Sequence, residues 1–432
     1  MSVQAPGKLA LVFVLLTVLL DTVGLGIIIP VTPELIMELT GEGLSRAAIF
    51  GGWLAFSYAM MQFVCAPILG NLSDRFGRRP VLLYSVASLG IDYLLMALAP
   101  TIAWLFVGRS LAGIAGASFT TAYAYITDIS PPEKRAQNFG LIGAAFGAGF
   151  IVGPAIGGLL GGFGPRVPFF VAAGLSLANF VYGFFVLPET LASDKRRELN
   201  WRRANPIGTL LQIRRYPAVL GMLSALFLWQ VAHQVMPSIW TYYTMLKFGW
   251  SEAMIGASLA SFGTLMVLGQ STLPRVVVPR LGEHRTASLG LIVGGAGFIG
   301  YAFASHGWMM FALQLTWLLG ALVMPSTQSL LSQRVPPDAQ GELQGAVASL
   351  FSVSAIIGPP LMTQLFRRFT AADAAVNYPG ISFVFAALLA AGAFIILRAS
   401  GASPLAISRP SEVTEPVVCS PAWLGAPRAI RW

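Results

Sequence analysis

The chain has 432 residues, of which 56% are hydrophobic and only 10% are charged, and its formal net charge is +9 at pH 7. Soluble globular domains carry about 25% charged residues, so this composition excludes an ordinary water-soluble fold. Cys65 lies in an apolar segment and Cys419 near the carboxyl terminus, so the cysteines form no disulfide framework.

Apolar segments recur along the chain. A hydrocarbon core of about 30 Å needs roughly 20 apolar residues per helix. The sequence therefore predicts an all-α integral membrane protein with twelve transmembrane helices, called spans 1 to 12 in chain order: 9–29, 48–70, 81–98, 104–126, 139–160, 168–187, 217–236, 252–273, 286–304, 308–330, 342–365 and 380–397. The first apolar run is too long for a cleaved signal peptide and predicts a retained helix.

Two halves of the sequence repeat each other at one offset of 205 residues. PPEKRAQNFG (131–140) matches PPDAQGELQG (336–345), and DRFGRR (74–79) matches PRLGEH (279–284). Gly-Pro pairs at 153–154 and 358–359 keep the same offset. A constant offset across loops and spans predicts two six-helix pseudo-repeats. We assign them to 1–187 and 217–398, with a cytoplasmic linker at 188–216 and a disordered tail at 399–432.

Basic residues are sorted by side of the membrane. If the amino terminus is inside, most Lys and Arg residues fall in inner loops, the linker and the tail. The outer loops carry Arg46, Arg166, Lys247, Arg367 and Arg368. This bias predicts that both termini are cytoplasmic, and it argues against a nucleic-acid partner despite the positive charge.

Three ionisable residues are predicted inside the membrane: Asp21 in span 1, Asp92 in span 3 and Arg109 in span 4. A charge at the bilayer centre costs about 2.5–3.5 kcal/mol on insertion scales, so it usually faces the bundle interior and has a function. We predict proton coupling for these residues. The alternatives are that a carboxylate only ties helices together and that Arg109 forms a structural ion pair.

The intramembrane charges are not repeated. The counterparts of Asp21, Asp92, Arg109 and Asp128 at the repeat offset are Leu226, Gly297, Gln314 and Gln333. We therefore predict that the N-terminal half handles protons and that the C-terminal half mostly shapes the substrate site.

A charged cluster is predicted at the inner surface. Its members are Asp74, Arg75, Gly77, Arg78 and Arg79 between spans 2 and 3, and Asp128 at the inner end of span 4. A carboxylate and a guanidinium can form a strong bidentate pair. We predict that Asp128 pairs with these arginines, that Asp74 caps a neighbouring helix, and that the cluster gates the inner end. The alternative is that the positive charge only keeps the loop inside.

Span 5 carries Gly149, Gly153, Gly157 and Gly161 on one helical face, with Pro154 beside them. Small residues at this spacing allow close helix approach, and proline can bend a helix. We predict a tight face between the two halves that blocks proton leak. Ordinary membrane-helix packing is the alternative.

Polar residues within apolar spans are candidates for binding the substrate. An apolar cavity with a few polar groups suits amphipathic compounds. The candidates are Tyr58, Gln62, Gln230, His233, Gln234 and Gln328. His233 can equally be a packing residue, and Trp240 lies just beyond Gln234 in sequence.

Several motifs resemble a known family. GNLSDRFGRRP (70–80) and GRSLAGIAGA (108–117) resemble motifs of the major facilitator superfamily, and GAGFIVGPAIGG (147–158) resembles the span 5 motif of its drug/proton antiporter branch. LLDTVGLGIIIPVTPEL, YITDIS and QGELQG are similar to segments of tetracycline/proton antiporters.

This resemblance implies a monomeric antiporter in the bacterial inner (plasma) membrane that exports an amphipathic, drug-like compound, with tetracyclines one candidate, in exchange for protons. It implies no enzymatic activity and no cofactor beyond the proton gradient. A divalent cation would enter only with the substrate. A proton-coupled uptake symporter for a small nutrient is the alternative on the same fold.

The resemblance fails at two positions in the C-terminal half. Met266 lies where tetracycline pumps are expected to have a histidine, and Gly294 lies where they are expected to have an acidic residue. Methionine cannot replace a titratable group. We therefore expect this chain to share the mechanism of tetracycline pumps more closely than their substrate.

Overall fold

A computed structural model describes residues 8–116, 118–191, 196, 217–336 and 339–401. All regular secondary structure in these ranges is helical. Most of the predicted linker and tail lies outside the described residues, so their boundaries stay predictions.

The helices are numbered in chain order. They are α1 (Lys8–Ile28), α2 (Thr32–Thr40), α3 (Leu44–Phe76), α4 (Arg78–Ala97), α5 (Ile102–Ala115), α6 (Ser118–Ile129), α7 (Arg135–Gly161), α8 (Val167–Val186), α9 (Pro217–His233), α10 (Val235–Phe248), α11 (Glu252–Leu281), α12 (Glu283–Phe303), α13 (Gly307–Leu313), α14 (Trp317–Gly320), α15 (Val323–Ser332), α16 (Gln340–Arg368) and α17 (Ile381–Gly401). Short 3₁₀ turns occupy Pro132–Lys134 and Gln314–Thr316. We call α1–α8 the amino-terminal bundle and α9–α17 the carboxy-terminal bundle.

Eleven segments of the described chain are long and apolar enough to cross a membrane, and each coincides with a predicted span. Span 4 is the predicted span that has no such segment among the described residues. It consists of two shorter helices, α5 with 14 residues and α6 with 12. At 1.5 Å per residue, 14 residues extend about 21 Å, which is less than the hydrocarbon thickness. Neither piece therefore crosses the bilayer alone.

The prediction of continuous helices is wrong for spans 4, 7 and 10. Span 4 is interrupted at Gly116, span 7 after His233, and span 10 at Ala321. Gly116 and Ala321 are one repeat offset apart. Hydropathy cannot detect these breaks because the residues on both sides remain apolar. Discontinuous helices are common where transporters build sites near the bilayer midplane.

Two glycines at repeat-related positions share an unusual backbone conformation. Gly77 has φ 110° and ψ 162°, and Gly282 has φ 76° and ψ 159°. Only glycine adopts this region without strain. Each glycine separates two long helices, so the matched loops DRFGRR and PRLGEH turn the chain in the same way.

The two bundles contact each other closely at one end of their helices. We call the end that carries Phe76 and Gly77 the inner end and the opposite end the outer end. At the outer end, the Ser45 hydroxyl donates to the Thr370 carbonyl at 2.9 Å. Gly158 of α7 lies against the Glu252 backbone of α11. Closer to the inner end, a Cβ at Gly143 would have no neighbour within 4 Å. The bundles are therefore in close contact at their outer ends.

We expect Gly282→Ala to lower the free energy of unfolding by about 1–3 kcal/mol, because alanine is strained at this backbone conformation. Gly77→Ala should cost more, since the new methyl group would also collide with the Glu189 carboxylate. Gly70→Ala is the matched control, because Gly70 is helical and has open space around it. Denaturation of the purified variants measures all three. Equal stability of the Gly282→Ala variant and the wild type would contradict the strain argument.

Candidate functional site

Asp92 and Arg109 form a buried ion pair within the amino-terminal bundle. The Arg109 Nη2 donates to Asp92 Oδ2, and the two residues are 7% and 0% exposed, respectively. Gly108 makes this contact possible, because a Cβ there would lie 2.5 Å from Asp92 Oδ1. Each charge compensates the other, because either one alone would be costly in an apolar interior.

A small cavity joins this pair to Asp21. Its volume is about 20 Å³, which is room for about one water molecule. Asp21, Tyr58, Tyr93 and Arg109 contribute side chains to its wall. Drug-sized sites need roughly 300–1,000 Å³. This cavity can therefore hold water and protons, but it is too small for a drug in this conformation.

Tyr93 is a cavity residue that the sequence analysis missed. Its hydroxyl lies against the backbone of Gly24, where a Cβ would be only 2.8 Å away. Gly24 is nearly one helical turn beyond Asp21, so α1 and α4 meet at this point. The signal in the sequence was the position of Tyr93 next to a buried acid.

Tyr58 and Gln62 lie at the break in span 4. Gln62 Nε2 donates to the Gly116 carbonyl at 3.2 Å, and the Arg109 guanidinium lies 5.7 Å from the centre of the Tyr58 ring. A helix break leaves carbonyl groups without intrahelical partners. Both predicted substrate residues therefore also have structural contacts with the proposed proton site.

The carboxy-terminal bundle replaces the ion pair with neutral hydrogen bonds. Gln314, the counterpart of Arg109, is 1% exposed. Its Nε2 donates to the Ser258 carbonyl at 2.9 Å, and its Oε1 accepts from Ser261. Gly297, the counterpart of Asp92, packs against Thr316. The fold thus tolerates a neutral network at the position where the amino-terminal bundle has charges.

The inner cluster is centred on Arg78. Its Nη1 lies 2.6 Å from Asp74 Oδ1, and its Nε lies 3.3 Å from Asp128 Oδ2. Arg75 instead lies over the Phe76 ring, and Arg79 donates to the Phe184 carbonyl at 2.6 Å. Of the three arginines predicted to meet Asp128, the structure brings Arg78 to it.

Glu189, rather than Asp74, caps the neighbouring helix. The backbone N–H groups of Arg78 and Arg79 donate to its carboxylate at 2.9 and 3.3 Å. A carboxylate is favourable there because the first N–H groups of α4 lack intrahelical partners and carry partial positive charge. The prediction for Asp74 is wrong because that residue ends α3 one turn before Arg78 and pairs with it.

The repeat preserves the geometry of this cluster while changing its charge. The counterparts of Arg78 and Asp128 are Glu283 and Gln333, and Gln333 Nε2 donates to Glu283 Oε2 at 2.7 Å. A salt bridge in one bundle is thus a hydrogen bond to a neutral amide in the other. Arg78 pairs with Asp74, Asp128 and Ser73 of the amino-terminal bundle and with Glu189 just after it, so its gating role stays a prediction.

Most of the span 5 glycine face is not between the bundles. Gly149, Gly153 and Gly157 pack against the backbone of α1 at Leu19, Val23 and Ile27. The contact with α11 is made instead by Gly158 and by the Pro154 carbonyl, which lies against Gly256. Gly161 touches both Val31 and Glu252. The predicted inter-half face is therefore wrong for three of the four glycines, since the neighbouring helical face meets the other bundle.

One of the carboxy-terminal candidates, His233, belongs to an aromatic cluster. His233 lies 5.0 Å from the Trp317 ring in a perpendicular arrangement, and Trp317 also contacts Trp229. Gln234 packs against Gly358, while Gln230 and Gln328 are half-buried. Trp240 is 1% exposed and donates to Ser258 at 2.9 Å, which makes it a core residue.

The two positions that depart from the tetracycline-pump pattern lie in apolar surroundings. A Cβ at Gly294 would collide with the Trp229 ring, for which the closest atom is 2.5 Å away. Met266 is half-buried and packs against the main hydrophobic core. An aromatic ring and a thioether therefore occupy this region.

A carboxyl pair joins the two bundles at the outer end. Glu34 of α2 forms a side-chain hydrogen bond with Glu252 of α11. This bond, partial burial and the Glu252 charge together raise the pKa of Glu34 to about 7. Glu38 of the same helix pairs with Arg166 at 3.1 Å instead.

The sequence comparisons agree with this architecture. The chain matches the family described as Major Facilitator Superfamily over residues 14–359 and 235–426, so it belongs to that superfamily. Human organic anion transporter MFSD10 (TETRAN) has the same fold, with a TM-score of 0.65 and 23% identity over 91% of this chain and all of that one (100%). The protein is therefore of a transporter class rather than an enzyme class.

Within the superfamily, the chain belongs to the tetracycline resistance proteins. It is 40% identical over 380 residues to the class C protein of Escherichia coli, covering 88% of this chain and 94% of the relative. It is 39% identical over 366 residues to the class G protein of Vibrio anguillarum, covering 82% and 90%. Together with the apolar helices, these bacterial relatives confirm a multi-pass inner-membrane protein.

We expect the contact between Glu34 and Glu252 at the outer ends of the bundles to loosen as the pH rises through about 7. The folded pKa of Glu34 lies above its ordinary value of 4.5, so the contact with Glu252 stabilises fully below about pH 4.5 and is lost as pH rises through about 7. Spin labels at Gly43→Cys and Ala253→Cys, in a protein without Cys65 and Cys419, would measure the separation.

The Glu34→Gln variant should stay close at every pH, because a neutral amide can hydrogen-bond to Glu252 without a proton. Glu38→Gln is the matched control on the same helix and should keep the wild-type pH profile. If Glu34→Gln and the wild type responded identically to pH, the carboxyl pair would not be the cause.

Proposed function

We propose that the protein is a proton-coupled antiporter that exports an amphipathic, drug-like compound by alternating access. The observation that carries this proposal is the buried Asp92–Arg109 pair beside Asp21, in a chain 40% identical to a tetracycline resistance protein. Tetracyclines are consequently the first substrates to test.

The proposed topology has twelve spans with both termini in the cytoplasm. The segment α5–α6 supplies the crossing that is absent among the eleven long apolar segments of the described chain. The positive-inside bias of the loops supports this orientation. In this arrangement the closed outer ends face away from the cytoplasm, and a monomer contains both bundles needed for alternating access.

Proton handling is proposed to depend on competition for Arg109. Two carboxylates and one guanidinium meet at the cavity and its adjoining ion pair, so the ionised group carries one net negative charge. A proton on Asp92 would weaken its bond to Arg109, because a neutral carboxyl group attracts a guanidinium less strongly. Arg109 could then turn toward Asp21 across the same cavity. Protonation would in this way alter the contacts among α1, α4 and α5.

Substrate binding is proposed for the carboxy-terminal bundle and the facing surface of α3. The aromatic cluster around Trp317 offers apolar area, and His233 and the half-buried glutamines of the same bundle offer a few hydrogen-bonding groups. This combination suits an amphipathic compound. No resident cofactor is required by the proposal, and a divalent cation would enter only with its substrate.

We expect Asp92→Asn and Asp21→Asn each to abolish drug uptake driven by an imposed pH gradient in inverted proteoliposomes. Neither amide can exchange a proton, so rates should fall to those of empty liposomes. Substrate counterflow without a pH gradient should continue in at least one variant, which separates lost coupling from lost folding. Glu38→Gln is the control for a carboxylate removed at the outer surface. Wild-type pH-driven uptake in both Asn variants would overturn the proposal.

We also expect transport of an amphipathic drug to continue in the presence of EDTA. Mg²⁺ requires oxygen ligands, and neither Met266 nor Gly294 supplies a side-chain oxygen. The measurement is pH-driven uptake of tetracycline and of an amphipathic drug that binds no metal, each with and without EDTA. Complete inhibition of both compounds by EDTA would show that this assignment of the substrate surface is wrong.

A further inference from the structure

A second, larger cavity lies at the outer end of the bundles, far along the chain from the proton site. Its volume is about 690 Å³. One wall is Ile49 of α3, and the remainder comes from the end of α16 and the segment that follows it. Its wall includes Leu361, Leu365, Arg367, Arg368 and Asp373.

Arg367 and Arg368 are unusual among the predicted outer arginines. Arg46 pairs with Glu42 at 2.7 Å and Arg166 pairs with Glu38 at 3.1 Å. Within the described ranges, no carboxylate lies within the 4.0 Å salt-bridge distance of Arg367 or Arg368, and both are exposed. Two adjacent guanidinium groups at a cavity wall are complementary to a phosphate, which each can bind through paired N–H donors.

The length of α16 places these arginines at the level of lipid headgroups. The helix has 29 residues and ends at Arg368. At 1.5 Å per residue it extends about 43 Å, which matches the bilayer thickness of about 40–45 Å with headgroups included. A phosphate in the cavity would therefore be at the height of the phosphates of the surrounding membrane.

The rest of the cavity is matched to the other parts of a phospholipid. Leu361 and Leu365 are one helical turn apart on α16, on the membrane side of the arginines, and Ile49 faces them from α3. These apolar side chains can contact an acyl chain. Asp373 adds one exposed carboxylate to the cavity wall, beyond salt-bridge distance of the two arginines, and it is complementary to an ammonium group.

We propose that this cavity binds a phospholipid of the outer leaflet with an ethanolamine headgroup. Its phosphate lies between Arg367 and Arg368, its ammonium group contacts Asp373, and an acyl chain lies along Leu361 and Leu365. A phosphoglycerol headgroup would leave Asp373 without a cation. Because Ile49 belongs to the amino-terminal bundle and the other residues to the carboxy-terminal bundle, the bound lipid bridges the two at their outer ends.

The test measures lipid retained by the purified, delipidated full-length protein after titration with phosphatidylethanolamine or phosphatidylglycerol, by native mass spectrometry. We expect the Arg367→Gln/Arg368→Gln variant to retain phosphatidylethanolamine at least tenfold less well than the wild type. Asp373→Asn should keep binding but lose the preference for phosphatidylethanolamine. Arg166→Gln, an outer arginine whose partners Glu38 and Ala97 belong to the amino-terminal bundle and do not line the cavity, is the matched control and should bind as the wild type does.

Three results would overturn the proposal. The first is equal retention by the wild type and the double variant, with both eluting as folded monodisperse protein. The second is a preference for phosphatidylglycerol that Asp373→Asn does not change. The third is complete displacement of the lipid by millimolar inorganic phosphate, which would identify a small-anion site instead. The assay requires no transport, so its outcome is independent of the proposed antiport.

Discussion

The cost of burying charge in an apolar bundle governs this structure. Asp92 has no exposed surface, and Arg109 has very little. Removing one partner of such a pair leaves an uncompensated charge and typically costs about 3–5 kcal/mol. The helices around it are arranged to prevent that loss. Gly108 gives the carboxylate room, and α3 supplies an aromatic ring over the guanidinium. A proton can neutralise Asp92 without removing the side chain.

The two bundles use the same geometry for different electrostatics. Arg78 and Asp128 form a salt bridge where Glu283 and Gln333 form a hydrogen bond. Arg109 has an acidic partner, whereas Gln314 is satisfied by a carbonyl and a hydroxyl. Polar contacts at these positions thus hold the helices together in both bundles. The salt bridges at these positions belong to the amino-terminal bundle, so the proposed proton chemistry lies there.

At the outer end, acidic side chains outside the apolar core contribute to the contact between the two bundles. Glu34 and Glu252 are the acids of a joint between the bundles, close to the glycines of α7 that allow α11 to approach. A short polar joint is easier to open than a wide apolar interface, because water can replace its hydrogen bonds. Opening the bundles at this end must also separate the close packing of α7 against α11, for example Gly263 against Ile151.

The class of fold, the approximate positions of most spans, the repeat and the acids within apolar segments could all be predicted from the sequence. These features follow from composition, hydropathy and a constant offset, which are properties of the chain alone. The sequence also determined the family, because the motifs around Asp74 and Gly153 are distinctive. The site roles inferred from it stay predictions.

Which side chains meet could be seen only in the folded arrangement of the helices. Hydropathy gave no sign of the break at Gly116, and periodicity could not show that the span 5 glycines pack mainly against α1. Glu189 replaced Asp74 as the helix cap because a residue more than 100 positions away in sequence reaches the end of α4. Contacts between distant segments depend on how the helices pack, and a local pattern in the sequence contains no information about that packing.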